Sequence, residues 1–154
     1  MTEIFYKLIN KKAGIVSLPQ GDWFDLKIAE DVCLNEKEFK YLSLGIAMKL
    51  PEGYEALVLP RSSTFKKYGI LLANSVGVID NSFQSDKDIW HFPAYATKSV
   101  NIEAGTRICQ FRIQLSQKAT FWQKLKWLFG GKIILKEVLC LDGIQRGGLG
   151  STGN

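Results

Sequence analysis

The sequence predicts an all-β subunit of the distorted jelly-roll or β-barrel-like kind, carrying one short helix and one helical insert. Three observations lead there. Strand-sized segments recur at short intervals along most of the chain, Pro/Gly turn signals separate several of them, and only two stretches place apolar residues at helical spacing. With 154 residues, 46% of them apolar and 23% charged, the chain is expected to form one domain that buries a core of its own.

Taken in order, residues 4–8 read as a first strand and residues 14–21 as a loop that turns at Pro19. Asp25-Leu26-Lys27-Ile28-Ala29 alternates, so Asp25 and Lys27 should share one face and Leu26 and Ile28 the other. Taken alone, Asp25 is a solvated-face or turn residue. Strands are expected over residues 39–42, 45–50 and 55–59, with a turn at Pro51-Glu52-Gly53. Residues 62–69 interrupt this grammar: Ser62 or Ser63 can cap a short helix, Phe65 and Tyr68 fall at helical spacing, and Gly69 can end it. Such a start would bring Arg61 beside free backbone amides, an arrangement that suits an anion. Without that context Arg61 reads as a surface salt-bridge partner.

Residues 73–90 read as a β-hairpin in which Gly77 allows close backbone approach or a bulge, Val78 and Ile79 favour strand, and Asp80-Asn81-Ser82 supplies turn chemistry. An exposed strand of this kind can pair its amides and carbonyls with a flat heterocycle, with Asp80 and Phe83 beside it. Strands over residues 100–102 and 108–115 follow, separated by the turn Glu103-Ala104-Gly105. In the insert, residues 118–136, Phe121, Trp122, Leu125, Leu128 and Phe129 recur at helical spacing with Lys124 and Lys126 between them. Gly130-Gly131 ends that pattern before a strand over residues 133–140. The domain is therefore expected to span residues 1–142, with a glycine-rich, flexible arm over residues 143–154.

Charge and cysteine content narrow the function less than the motifs do. The net charge of +5 fits nucleic acid and a triphosphate equally well, but no nucleic-acid module signature is present, so no nucleic-acid partner is expected. No run of about 18 apolar residues suggests a membrane span. The mixed N-terminus lacks a signal-peptide pattern, and three widely spaced cysteines (Cys33, Cys109, Cys140) suit reduced thiols. A cytoplasmic protein with no membrane partner is the expectation.

Five short motifs in order then carry a resemblance. Asp22-Trp23-Phe24-Asp25-Leu26, Pro60-Arg61-Ser62-Ser63, Gly77-Val78-Ile79-Asp80 with Phe83, Gly105-Thr106-Arg107-Ile108-Cys109-Gln110, and Gly147-Gly148-Leu149-Gly150-Ser151-Thr152-Gly153 match those of the homotrimeric dUTP diphosphatases (dUTPases). The match spans nearly the whole chain. It resembles most a subgroup of Gram-positive bacteria and their phages, through Asp86-Lys87-Asp88-Ile89-Trp90 and Phe92-Pro93-Ala94-Tyr95.

The resemblance implies hydrolysis of dUTP to dUMP and pyrophosphate, keeping uracil out of DNA and supplying dUMP for thymidylate synthesis. It implies a homotrimer with active sites shared between subunits, and Mg²⁺ held by the triphosphate and water rather than by direct protein ligands. Asp80 would contact the deoxyribose and activate the attacking water, with Asp25 in a supporting role near the metal-bound triphosphate and its water. Arg61, Ser62, Ser63 and Gln110 would bind phosphate; Asn74, Gly77, Val78, Ile79 and Phe83 would hold the nucleoside. Arg146, Leu149, Gly150, Ser151 and Thr152 would close over the substrate from the arm.

The chain departs from the family pattern at four places. Phe83 stands for the usual Tyr, Ser85 for a Gly after the aromatic, and Leu149 for a Phe that stacks on uracil, while Arg146 lies closer to Leu149 than the family spacing. Two other functions stay open: a dUTPase-like protein that binds a regulatory partner through residues 118–136 with weak catalysis, and the related dCTP deaminase. The deaminase needs a Glu where Trp90 stands.

Overall fold

The computed structural model describes residues 1–141. Along these the chain forms β1 (Thr2–Leu8), β2 (Ile15–Ser17), β3 (Phe24–Lys27), β4 (Val32–Leu34), β5 (Phe39–Ser43), β6 (Ile46–Lys49), β7 (Tyr54–Pro60), α1 (Thr64–Tyr68), β8 (Ile70–Leu72), β9 (Gly77–Asp80), β10 (His91–Ala96), β11 (Val100–Ile102), β12 (Arg107–Leu115), α2 (Phe121–Leu128) and β13 (Ile133–Glu137). The all-β expectation holds, with a short helix after Arg61 and a second in the insert.

Four sheets wrap one core. The largest runs β2-β3-β12-β7-β9; β13-β1-β6 and β5-β10-β8 are three-stranded, and β11 pairs with β4. Every pairing is antiparallel except that of β1 with β13. Alternation decides what goes inside: Tyr54, Ala56 and Val58 of β7 face the core, as do Phe111 and Ile113 of β12. Trp90 and Phe92 are fully buried with them, and Trp90 meets Phe111 edge-on at 5.3 Å.

The expected hairpin over residues 73–90 is not formed as one. β9 pairs with β7, from Glu55↔Asp80 to Val58↔Gly77, and β10 belongs to a different sheet. The turn chemistry was read correctly, since the Phe83 amide donates to the Asp80 carbonyl at 3.2 Å and the Ser82 amide to Asp80 Oδ1 at 2.9 Å. What the turn does not do is return the chain onto β9. Gly77 serves close approach rather than a bulge: the β7–β9 register is unbroken, and a Cβ there would lie 3.2 Å from Val58 Cβ. The expected loop over residues 14–21 also holds a strand, β2, paired to β3.

α1 begins at Ser63 and ends at Gly69, whose φ of 66° gives the left-handed cap that glycine tolerates. The Ser63 side chain makes no capping bond. Instead the buried Thr64 hydroxyl donates to the Ile108 carbonyl at 2.5 Å, fastening the helix to β12.

α2 starts with a capping box, Thr120 accepting from the Gln123 amide while the Gln123 side chain accepts from the Thr120 amide. It docks through Gln123, which donates to the Glu52 carbonyl at 2.8 Å, and through half-buried Trp127, 6.1 Å from Tyr54. No residue of this helix is buried, and Phe121, Trp122, Leu128 and Phe129 are 67–83% exposed. At 100° per residue these four and Leu125 fall on one arc with Lys124 and Lys126 on its two sides, so the helix turns its apolar face away from the domain that carries it. The following strand ends at Glu137, short of the expected residue 140.

We expect Trp127→Ala to cost about 1–3 kcal/mol, less than a fully buried aromatic would, and to expose α2 to trypsin at Lys124 and Lys126 before global unfolding. Unchanged cleavage and an unchanged urea midpoint would show that Trp127 does not latch the helix.

Candidate active site

Among the clefts of the described residues, two at different places on the five-stranded sheet hold the expected site residues. The first, about 490 Å³, is lined by Val16, Lys27, Arg61, Lys67, Tyr68, Gly105, Thr106 and Arg107. Four of those side chains are cationic and none is acidic, which suits a polyanion. Its arginines are held from beneath. Asp25 Oδ2 lies 3.1 Å from Arg61 Nε and 3.2 Å from Arg107 Nη1, and the Asp25 side chain is 3% exposed.

Local structure explains that convergence. Asp25 sits mid-sheet on β3, opposite Val16 on β2 and Gln110 on β12. A bulge in β12 between Arg107 and Cys109 shifts the register so that Arg107 faces Lys27 and its guanidinium reaches Asp25. Arg61 leaves the end of β7 with its amide donating to the Ile108 carbonyl at 3.2 Å. The reading of Asp25 as a solvated-face residue is thereby corrected: a buried carboxylate is tolerated here because two guanidinium groups neutralise it. Beneath it the Cys109 thiol is buried, and burial first, then the Asp25 charge, pushes its pKa far up. It stays a neutral thiol.

The second cleft, about 410 Å³, is lined by Asn74, Gly77, Val78 and Ile79 on one side and by Phe39, Tyr41, His91 and Pro93 on the other, with Ala73. β9 is the edge of its sheet, so its outward amides and carbonyls have no neighbouring strand among the described residues. The His91 ring bonds the Ile89 carbonyl through Nδ1 at 2.7 Å and stands edge-on to Tyr41. This volume is of the size that holds a small-molecule ligand.

Asp80 follows at the end of β9, exposed, with its Oδ1 bonded by the Ser82 amide and hydroxyl. Phe83 is half-buried and packs on the core; neither residue is among the cleft's walls.

Within one chain the expected site residues thus fall into two groups. Asp25, Arg61 and Gln110 cluster, Gln110 donating to the Pro60 carbonyl at 3.3 Å, while Ser62 is exposed and Ser63 half-buried beside them. Asn74, Gly77, Val78 and Ile79 gather at the second cleft. Asp80 is opposite Glu55 on β7, six residues before Arg61, roughly 20 Å along an extended strand. Arg146, Leu149, Gly150, Ser151 and Thr152 lie outside the described residues. The structure adds Arg107, Lys27, Lys67 and His91 to the candidates. Arg107 was signalled by its place in the fourth motif; the others had no local signal.

Comparisons with known proteins give the family and the fold. A family model described as dUTPase matches residues 17–125. The chain belongs to the dUTPase family. It is 50% identical over 139 residues to an SPbeta prophage-derived deoxyuridine 5'-triphosphate nucleotidohydrolase of Bacillus subtilis, covering 90% of this chain and 89% of that protein. In fold it resembles the dUTPase of Streptococcus mutans, with a TM-score of 0.66 at 23% identity over 71% of this chain and 94% of that one. It likewise resembles a mutant dUTPase of phage phi11 of S. aureus, described as coordinating a structural Mg(II) ion. That match has a TM-score of 0.66 at 16% identity over 77% of this chain and 94% of that one. Trp90 is a fully buried core residue.

Asp25→Asn should lower stability by roughly 2–4 kcal/mol in urea melts, somewhat under a fully buried pair because both arginines reach solvent; an unchanged midpoint would remove Asp25 as the arginines' anchor. Iodoacetamide at pH 9 should label Cys33 and Cys140 but not Cys109 in the native protein. Because the folded Cys109 thiol titrates above its ordinary value of 9.0, its contribution to stability is complete below that pH and declines as pH rises past it.

Proposed function

We propose that this chain hydrolyses dUTP to dUMP and pyrophosphate in sites shared between the subunits of a homotrimer. The observation that carries this reading is the buried Asp25, which holds Arg61 and Arg107 around a cation-lined cleft where the family's second and fourth motifs fall. The triphosphate takes that cleft, bound by Arg61 and Arg107 with Ser62, Ser63 and Gln110 at its edge. The uracil pairs with the free edge of β9, at Gly77, Val78 and Ile79, with Asn74 beside it. Phe83 packs under the sugar.

Asp80, braced by Ser82, accepts a proton from water as the water oxygen attacks the α-phosphorus. The bond from that phosphorus to the bridging oxygen breaks, and pyrophosphate leaves. Because each step requires water, α-phosphate and Asp80 within hydrogen-bond reach, the roughly 20 Å between Asp80 and Arg61 of one chain calls for a second copy to complete the site. Arg146, Leu149, Gly150, Ser151 and Thr152, outside the described residues, are the further substrate-binding residues of this reading.

Among the described residues no cluster of three or more metal-ligating side chains is present, and the one carboxylate at the phosphate cleft is taken up by two arginines. That donor set fits Mg²⁺ carried in by the triphosphate, where it would neutralise charge on the phosphate oxygens. Asp25 then supports the site by holding the arginines, and any link to the ion passes through water.

A panel of dUTP, UTP, dCTP and dTTP with Mg²⁺ should give pyrophosphate from dUTP alone, and Asp80→Asn should lower the rate by about 10²-fold or more. Turnover of none of the four would overturn the reading. Separately inactive Asp80→Asn and Arg61→Ala chains, unfolded and refolded together, should regain up to about a quarter of wild-type activity if neighbours share sites. No recovery would place both residues in one chain's site.

The outward apolar face of α2 favours a second role, contact of the insert with a regulatory protein. Trp122→Glu with Phe129→Glu decides it: a trimer that stays intact and active but loses its regulatory phenotype supports such a partner, whereas a trimer that dissociates shows the face to be a subunit contact.

A further inference from the structure

A further cleft of the described residues, about 480 Å³, shares no wall residue with the two above. It lies where the insert meets the first motif. Asp22, Trp23 and Phe24 come from that motif and Arg112 from β12, while Trp127 and Lys132 come from the insert, so the insert completes the cleft. Its aromatic walls are held from behind: Phe24 stacks on Phe111 at 5.2 Å, and Trp127 stands edge-on to Tyr54 at 6.1 Å. Gly131 lets the chain pass tightly by the end of α2, since a Cβ there would lie 3.1 Å from the Lys126 carbonyl oxygen. The next carbonyl, of Lys132, accepts from the Thr2 amide at 2.8 Å, which pins this path to β1 and brings Lys132 to the cleft.

The cations of this cleft lack the partners that the phosphate cleft provides. The half-buried Arg112 places its guanidinium 5.5 Å from the centroid of the Trp23 ring, a cation–π contact. Among the described residues no carboxylate forms an ion pair with it or with Lys132, whereas Arg61 and Arg107 share Asp25. Charge taken partly out of water calls for a counter-charge. Stacking on an indole fixes the plane of a guanidinium and leaves its edge N–H groups for an anion. Charge counting then sets how much anion fits. Four cations and no acid line the phosphate cleft, but here two cations face one carboxylate, that of Asp22. That balance suits a single phosphate, with Asp22 as acceptor for a sugar hydroxyl.

We propose that this cleft binds a nucleoside monophosphate, with its base against Trp23 and Trp127 and its phosphate on Arg112 and Lys132. The volume is within the range of small-molecule sites. Stacking on an indole tolerates any base, because every base has a π-face, so purine and pyrimidine monophosphates both enter. The site is separate from that of the reaction, and its occupancy does not depend on whether the chain turns over dUTP.

The test is calorimetric titration of the full-length protein with AMP, GMP and dUMP, and with inorganic phosphate alone. AMP and GMP should bind with Kd below about 1 mM, and phosphate at least about 10-fold more weakly. Arg112→Gln and Trp23→Leu should each weaken AMP binding by about 10-fold or more, and Arg112→Gln should leave dUTP hydrolysis unchanged. Lys132→Gln, at an exposed side chain, gives the same reading if the Trp23 variant fails to fold. Arg61→Ala should leave AMP binding at its wild-type value. Loss of AMP binding in Arg61→Ala would place the nucleotide in the phosphate cleft and overturn the proposal. So would the absence of heat from either purine nucleotide, binding that survives the Arg112 and Lys132 variants, or phosphate that binds as tightly as AMP. Sedimentation completes the test: an assembly that dissociates in Arg112→Gln shows the cleft to be a subunit contact and overturns the proposal too.

Discussion

The pairing of β12 with β7 is the constraint on which the site depends. Seven residues of each strand stay in register, from Cys109↔Pro60 to Leu115↔Tyr54. That ladder buries Phe111 against Trp90 on its inner side and delivers two chain ends to its rim: Arg61 as β7 runs out and Arg107 as β12 begins. β3 on one flank brings Asp25 to both, and β9 on the other flank offers its open edge. Slipping β12 by one residue would turn its core residues outward and carry Arg107 away from Asp25, so packing and electrostatics select the same register.

The electrostatics follow a simple division. One buried carboxylate fixes two guanidinium groups by their sides, which leaves positive potential facing the cleft without leaving a charge unpaired beneath it. Arginine suits this because its several donors let one edge bind protein while another meets phosphate. Lys27 and Lys67 add charge at the walls without shared partners at Asp25. The site is therefore preorganised from below and adaptable at its surface.

Much of this was readable in the sequence because it is local. The alternation of β7 and β12, the glycine that ends α1 and the Asp80-Asn81-Ser82 turn each announce themselves within a few residues. The failures are failures of distance. Nothing near Gly77 says that its strand pairs with Val58, nineteen residues back, so strand and turn signals in succession looked like a hairpin. Nothing near Asp25 says that arginines 36 and 82 residues away will neutralise it. β4 and β8 have three residues each, too few to show a period, and β10 carries Pro93 in the middle of its sheet, where proline is unusual. The first, second and fourth motifs bridged part of that gap, since Asp25, Arg61, Arg107 and Gln110 from them meet in the structure.

The open edge of β9 has a cost as well as a use. In the proposed reaction its amides and carbonyls pair with a nucleobase, and the same groups can pair with a stray strand, which is how sheets recruit one another into aggregates. Here the exposure is rationed by length. β9 has four residues, Gly77 at its head packs against Val58 with little room to spare, and the Asp80 turn stops the strand at once. An edge this short offers an invading strand too few partners to hold, so lengthening β9 would raise the risk of self-association.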